Sequence, residues 1–315
     1  MTNYSLIDGN SLGHFYNNAK PLMIGEVQVQ AIYGTLKRLR AHCAGFQDYQ
    51  PVVLWDGASW RKMMFAEYKE NRDRKETKNE IRMQEMKASY KKQAPYLKKA
   101  LRFLGIPQVS ALNMEADDLG AILTDRYTKN GSKIILLTGD KDWLQLVGPG
   151  VVWKDFANDR LVTQKNFAEF TGVEDVRKFV EVKALCGDQG DNVAGVGGIG
   201  EKGAIEFINT YGSVANFTNG VILDKTIDLK GVPKKYRNLV EDEDKAITFK
   251  RNIDLVDLRT TARPAPLALE VDKGTADADK FRQFCELLLF KSFTKDFDEW
   301  ISVFPAFRAP RALAA

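Results

Sequence analysis

The sequence predicts an α/β fold with a mostly parallel sheet flanked by helices. Short apolar runs at residues 4–7, 52–55 and 134–137 have the length and composition of strands buried on both faces. Segments with helical spacing lie between them, as strand–helix alternation requires. Each run ends at an acidic residue (Asp8, Asp56 and Asp140), beyond the carboxyl ends of the strands, where such sheets bind ligands.

Along the chain, residues 26–43 place Val27, Ala31, Leu36 and Leu39 at helical intervals, and 89–104 and 115–127 do so more clearly. The 115–127 helix opens on Glu115, Asp117 and Asp118, where the helix dipole favours carboxylates. Beyond about residue 160 the pattern is mainly helical, at 164–170, 173–186 and 201–211, and then a charged connection follows at 234–245. We expect a core over 1–160 that includes a basic segment at 61–99, and a mainly helical part over 161–305. The Ala/Pro/Arg-rich 306–315 reads as a flexible tail.

The 315 residues, 44% hydrophobic, suffice for one large or two smaller domains. No apolar run reaches the roughly 18 residues of a membrane span, and the start has no secretory pattern. Three cysteines without a Cys-x-x-Cys argue against a disulfide framework and for a reducing cytoplasm. His14 and His42 are the only histidines, which excludes a His-rich zinc site and most His-based acid–base chemistry.

Nine acidic residues fall in five short clusters: Asp8; Asp56; Glu115, Asp117 and Asp118; Asp140 and Asp142; Asp188 and Asp191. Carboxylates gathered in one place repel, and some would take up protons. Hard divalent cations relieve that repulsion. Oxygen-only ligands suit Mg²⁺ or Mn²⁺, and two such ions can clamp the attacking and leaving oxygens of a phosphodiester.

Residues 61–99 carry thirteen Lys/Arg against six Asp/Glu, so the remainder of a chain of net charge +4 is slightly acidic. That is the pattern of a polyanion contact beside a carboxylate site, or of a solvated helical face. Within it, Lys69 and Arg72 would share one helical face and reach one phosphate. Tyr68 would either stack an unpaired base, worth about 1–3 kcal/mol, or enter the core. Gly195, Gly197, Gly198 and Gly200 formally match a dinucleotide fingerprint but follow a helix and an acidic loop rather than a strand. They read better as a helix–hairpin–helix whose amides hold a phosphate, with Lys202 adding charge.

The ordered set Ile-Asp-Gly-Asn, Trp-Asp-Gly, Tyr-Lys-x-x-Arg, Glu-Ala-Asp-Asp, Thr-Gly-Asp-Lys-Asp and Gly-Asp-x-x-Asp-Asn, then Gly-Val-x-Gly-Ile-Gly-x-Lys, resembles the 5′-nuclease (flap endonuclease) family. It is most similar to phage-type 5′–3′ exonucleases and the nuclease domain of bacterial DNA polymerase I, over roughly residues 4–260. The resemblance implies a PIN-like core, a helical arch at 61–99 and a helix–hairpin–helix at about 185–211. It implies two Mg²⁺ (or Mn²⁺) ions, and K⁺ held by the Val196 and Ile199 carbonyls. The implied partner is DNA with a 5′ end, flap, nick or gap, cut by 5′–3′ exonuclease and flap endonuclease activity in replication or repair.

By position, Asp8, Asp56, Glu115 and Asp117 would serve one metal. Asp140, Asp142, Asp188 and Asp191 would serve the other, with Asp117 or Asp118 near both. Lys69 and Arg72 would stabilise charge on the scissile phosphate, and Arg61, Lys62, Arg74 and Lys75 would contact the strand. Residues after about 260 carry no assigned motif and no clear sliding-clamp motif, and a monomer is expected. Two other classes stay open on the residues alone. A non-catalytic junction-binding protein would lack Mg²⁺-dependent cleavage, and a phosphatase would cleave small phosphate esters.

Overall fold

The computed structural model describes residues 1–74 and 76–308. Its centre is a seven-stranded sheet: β1 (Asn3–Asp8), β2 (Tyr49–Trp55), β3 (Gln108–Ser110), β4 (Ile134–Leu137), β5 (Val151–Lys154), β6 (Leu161–Val162) and β7 (Glu270–Asp272). The order is β7-β3-β2-β1-β4-β5-β6. The five inner strands run parallel, and β6 and β7 close the edges antiparallel.

Side chains alternate across this sheet, and both faces are dry. Leu6, Val52, Leu54 and Leu136 enter one core, and Ile7, Val53, Trp55 and Leu137 the other. Helices α1 (Gly9–Asn17), α2 (Gln30–Gly45) and α3 (Lys78–Phe103) cover the second face. Helix α4 (Ala116–Lys129) covers the first, and the core there continues into α5 (Val176–Cys186) and α6 (Glu201–Tyr211). No helix among the described residues is long and apolar enough to cross a membrane.

Helix α3 begins at a capping box. The Thr77 hydroxyl accepts from the Glu80 N–H, and the Glu80 carboxylate accepts from the Thr77 N–H. Its first three turns bury no side chain, whereas Tyr90, Gln93, Leu97, Ala100 and Leu101 anchor its second half. The basic segment therefore rises from the core and returns to it.

Four expectations change. The charged connection at 234–245 is helical, because Lys234–Glu241 buries Tyr236 and Leu239 and is followed by α7 (Glu243–Val256). Residue 160 lies inside the β5–β6 hairpin, where Asp155 N–H donates to the Arg160 carbonyl (2.9 Å). The chain also returns to the second face of the sheet. β7 joins the sheet, and Phe281, Phe293, Trp300 and Phe304 pack with α2 and α3. Residues 306–308, expected in the tail, are held to the fold instead, since Arg308 donates to the carbonyls of Val303 (2.8 Å) and Cys43 (3.0 Å). The rest of the expected tail segment, 309–315, falls outside the described residues.

Candidate active site

Three of the parallel strands, β1, β2 and β4, lead to carboxylates at the same end of the sheet. Asp8 ends β1 and caps α1: Oδ1 accepts from Ser11 N–H (2.8 Å) and Oδ2 from the Thr138 hydroxyl beyond β4 (3.1 Å). Asp56, just past β2, accepts from Ala116 N–H at the start of α4 (2.8 Å) and from Asn10 Nδ2 on α1 (2.6 Å). Asp117 accepts from Trp143 Nε1 (2.6 Å). Asp140 caps the turn after β4 through Asp142 N–H (2.8 Å). Asp117, Asp142, Asp188 and Asp191 line one narrow cavity.

The charges interact across this end of the sheet. Burial, then Asp56 and Asp140, push Asp8 up to about 7. Burial and Asp142 push Asp140 up to about 7. Burial and Asp140 hold Asp117 well above the usual carboxylate range. Burial also raises Asp142, despite Lys183 beside it. Two other acids behave oppositely. Burial works to raise Glu115 and Asp188, but Lys69 and Arg61 outweigh it at Glu115, and Lys183 does so at Asp188.

The arch supplies the opposing cations. Lys69 pairs with Glu115 and lies 3.6 Å from Asp191, and Arg72 pairs with Asp191. No continuous helical face carries them, contrary to expectation. Lys69 has φ 58°, and the 3-10 turn Glu70–Asp73 follows it. The reversal of direction at Lys69, rather than helical spacing, aims both side chains at the acids. Glu67 and Glu70 are exposed.

Three sequence assignments are corrected. Arg61 is no strand contact: it is 2% exposed, with Nη1 2.9 Å from Glu115, Nη2 3.0 Å from Asp118, and Nε donating to the Leu255 carbonyl (2.8 Å). Asp118 is fully buried and committed to Arg61, Trp60 Nε1 and the Glu115 N–H, so it is not free to face a metal. Tyr68 stacks no base. It is buried, with its hydroxyl donating to Asp191 (2.7 Å) and Glu115 (3.3 Å). Lys62, Arg74 and Lys202 are exposed and open to a ligand, and Lys75 lies outside the described residues. His42 is a core residue against Ser5, and His14 packs on Tyr90.

Lys183 escaped the sequence reading. From the last turns of α5 it bridges Asp142 (2.9 Å) and Asp188 (2.8 Å), tying the sheet to the helical part. Its only signal was position, five residues before Asp188 on a predicted helix.

The glycine segment joins α5 to α6 as a tight hairpin. A Cβ on Gly195 would stand 2.4 Å from the Cys186 carbonyl oxygen, so only glycine permits that crossing. Val196 and Ile199 bury their side chains, which fixes the turn to the core. Gly198, at φ 85°, has open space where a Cβ would point, whereas Gly200 caps α6 in extended backbone at φ −82°, ψ 175°.

A family model for the 5′-3′ exonuclease N-terminal, resolvase-like domain matches residues 3–172, and one for the C-terminal SAM fold matches 175–278. The flap endonuclease Xni of Shewanella sediminis is 33% identical over 69% of this chain and 80% of its own. A 5′-3′ exonuclease of Aquifex aeolicus is 30% identical over 85% of each chain. The structure of the bacteriophage T5 flap endonuclease in a complex with DNA and metal ions superposes with a TM-score of 0.65 at 27% identity, over 95% of this chain and 99% of that one. With its resolvase-like sheet, its helical C-terminal part and the carboxylates gathered at the strand ends, the chain belongs to the 5′–3′ exonuclease family of structure-specific 5′ nucleases.

Proposed function

We propose that this protein hydrolyses DNA phosphodiesters at 5′ flaps, nicks, gaps and 5′ ends, using two Mg²⁺ or Mn²⁺ ions. One observation carries this reading: eight carboxylates from five chain segments gather at one end of the sheet, where Lys69 and Arg72 pair with Glu115 and Asp191. Among the described residues, no three His, Cys, Asp or Glu side chains already converge on one point. Lys69 and Lys183 each stand beside two acids instead. The donor set still suits hard cations, being all oxygen and crowded enough to raise Asp8, Asp117 and Asp140.

Asp8, Asp56, Glu115 and Asp117 would hold one ion, and Asp140, Asp142, Asp188 and Asp191 the other. Bound metals would supply a lowered water pKa and charge neutralisation. Lys69 and Arg72 turn from their carboxylates to the scissile phosphate and stabilise the charge that develops there. Tyr68 and Arg61 hold Glu115 and Asp191 from below. Lys62 and Arg74 contact the strand. The amides of Gly198 and Gly200 and the Lys202 ammonium hold the duplex backbone, and the Val196 and Ile199 carbonyls take K⁺. The protein acts as a cytoplasmic monomer.

Cleavage of 5′-labelled flap, nicked and single-stranded DNA, with and without Mg²⁺, tests this reading. Mg²⁺-dependent cutting that favours the flap is expected. Cutting that persists in chelator, or binding with no cutting at any Mg²⁺ concentration, would overturn it.

A further inference from the structure

The base of the arch is clasped to the acidic loop after α5 by hydrogen bonds between segments more than a hundred residues apart. Three successive carbonyls of that loop are taken by arch residues. Asn71 Nδ2 donates to Gln189 (2.7 Å), Arg72 Nε to Gly190 (3.1 Å), and the Lys69 N–H to Asp191 (2.9 Å). In the other direction, Asn192 Nδ2 donates to the Glu67 carbonyl (2.8 Å). Lys69 and Asn192 both hold left-handed backbone, at φ 58° and 60°. Such conformations are uncommon outside glycine and need support from their surroundings. Here each lies at one side of the clasp.

The loop is also fixed behind. Asp188 pairs with Val193, and Asn252 on α7 donates to the Ala194 carbonyl (2.8 Å) and the Ala184 carbonyl (2.9 Å). Gly195 follows at once, so the glycine hairpin, the acidic loop and the arch base form one hydrogen-bonded series. The cations at its far end are Lys69 and Arg72.

We infer that Asn71 and Asn192 are positioning residues that couple duplex engagement at the glycine hairpin to the placement of Lys69 and Arg72 over the carboxylates. This rests on the nuclease reading above. Both asparagines are uncharged, and their side-chain nitrogens donate to backbone carbonyls, so neither is assigned to substrate or metal. A hairpin held by duplex would steady the clasp and so preorganise the two cations. A substrate that bypasses the hairpin would gain nothing from it.

Asn71→Ala and Asn192→Gly test this from opposite sides. Glycine keeps the left-handed backbone of residue 192 while deleting the bond to Glu67. Single-turnover cleavage of a 5′ flap and of a single-stranded oligonucleotide would be measured at saturating enzyme and Mg²⁺. Flap affinity in chelator and Tm would be measured alongside. Flap cleavage should fall about three- to tenfold, the effect of one lost hydrogen bond felt in the transition state. Single-strand cleavage, flap affinity and Tm should hardly move. If both variants cut the flap at the wild-type rate, or lose flap and single-strand cleavage equally, the coupling is wrong. Should Asn192→Gly lose stability, Asn71→Ala decides alone. Failure of the wild-type protein to cut either substrate would instead overturn the nuclease reading on which the proposal rests.

Discussion

Arg61 Nη1 lies 2.9 Å from Glu115 Oε2 in a site where both residues are almost wholly buried. The same guanidinium forks onto Asp118 and reaches the Leu255 carbonyl on α7. One side chain thus joins the arch base, the start of α4 and the helical part. Its planar set of donors suits such a junction, which a lysine could satisfy only in part. Arg61→Ala should destabilise the protein by about 3–5 kcal/mol, because it strands two buried carboxylates, and Arg61→Lys should lose less. Urea unfolding measures both, and a loss below about 1 kcal/mol for alanine would show that water replaces the guanidinium.

Asp140→Asn and Asp188→Asn should each abolish cleavage while leaving flap binding in chelator intact or tighter, since negative charge near phosphate is removed. At Asp140 the amide oxygen can still cap Asp142 N–H, so the fold should persist. Near-normal cleavage at saturating Mg²⁺ by either variant would remove that residue from the metal set.

The two hairpin glycines should part company. Gly198 lies at φ 85°, where an L-residue is strained by about 1–2 kcal/mol. Gly200 lies in extended backbone with room for a Cβ. Gly198→Ala should weaken duplex binding by about three- to tenfold, and Gly200→Ala by less than about twofold. Fluorescence anisotropy with a labelled duplex separates them, and equal losses would mean that side-chain bulk against phosphate, not backbone strain, governs the turn.

The sheet and its acidic rim were legible because strands buried on both faces are continuously apolar and stop abruptly at Asp8, Asp56 and Asp140. The glycine hairpin was legible because only glycine allows its crossing at Gly195. The cations were harder. Arg61 and Lys62 are adjacent, yet one is buried against carboxylates and the other exposed. That choice depends on Glu115, Asp118 and Leu255, which come together only in the fold. Tyr68 and Lys183 were opaque for the same reason. The helices at 234–256 were hidden because their exposed charges outnumber the few apolar residues, such as Tyr236, Leu239 and Leu255, that pin them.

His42 should make stability depend on acid. Burial, with Arg38 and Lys154 nearby, lowers its pKa to about 3 from an ordinary 6.5. Its Nε2 meets the Ser5 hydroxyl at 2.8 Å, and its Nδ1 has no partner. The folded state thus binds the proton less readily than the unfolded chain does. The stability this contributes is present above pH 6.5 and is lost as pH falls toward 3. His42→Gln should therefore lose less Tm between pH 7 and pH 4 than the wild type. Equal drops would show that other groups set the acid limb.

Lys69 stands beside Glu115 and Asp191, where it would act on charge developing at the scissile phosphate. Single-turnover cleavage of a 5′ flap by Lys69→Ala and by Lys91→Ala, an exposed lysine on α3, measures that role. Lys69→Ala should lower the rate by about 10²–10³-fold, in the range of other preorganised electrostatic donors, with little change in flap affinity. Lys91→Ala should reduce affinity modestly or do nothing. Equal small losses for the two variants would make the arch a diffuse electrostatic surface and contradict the role given to Lys69.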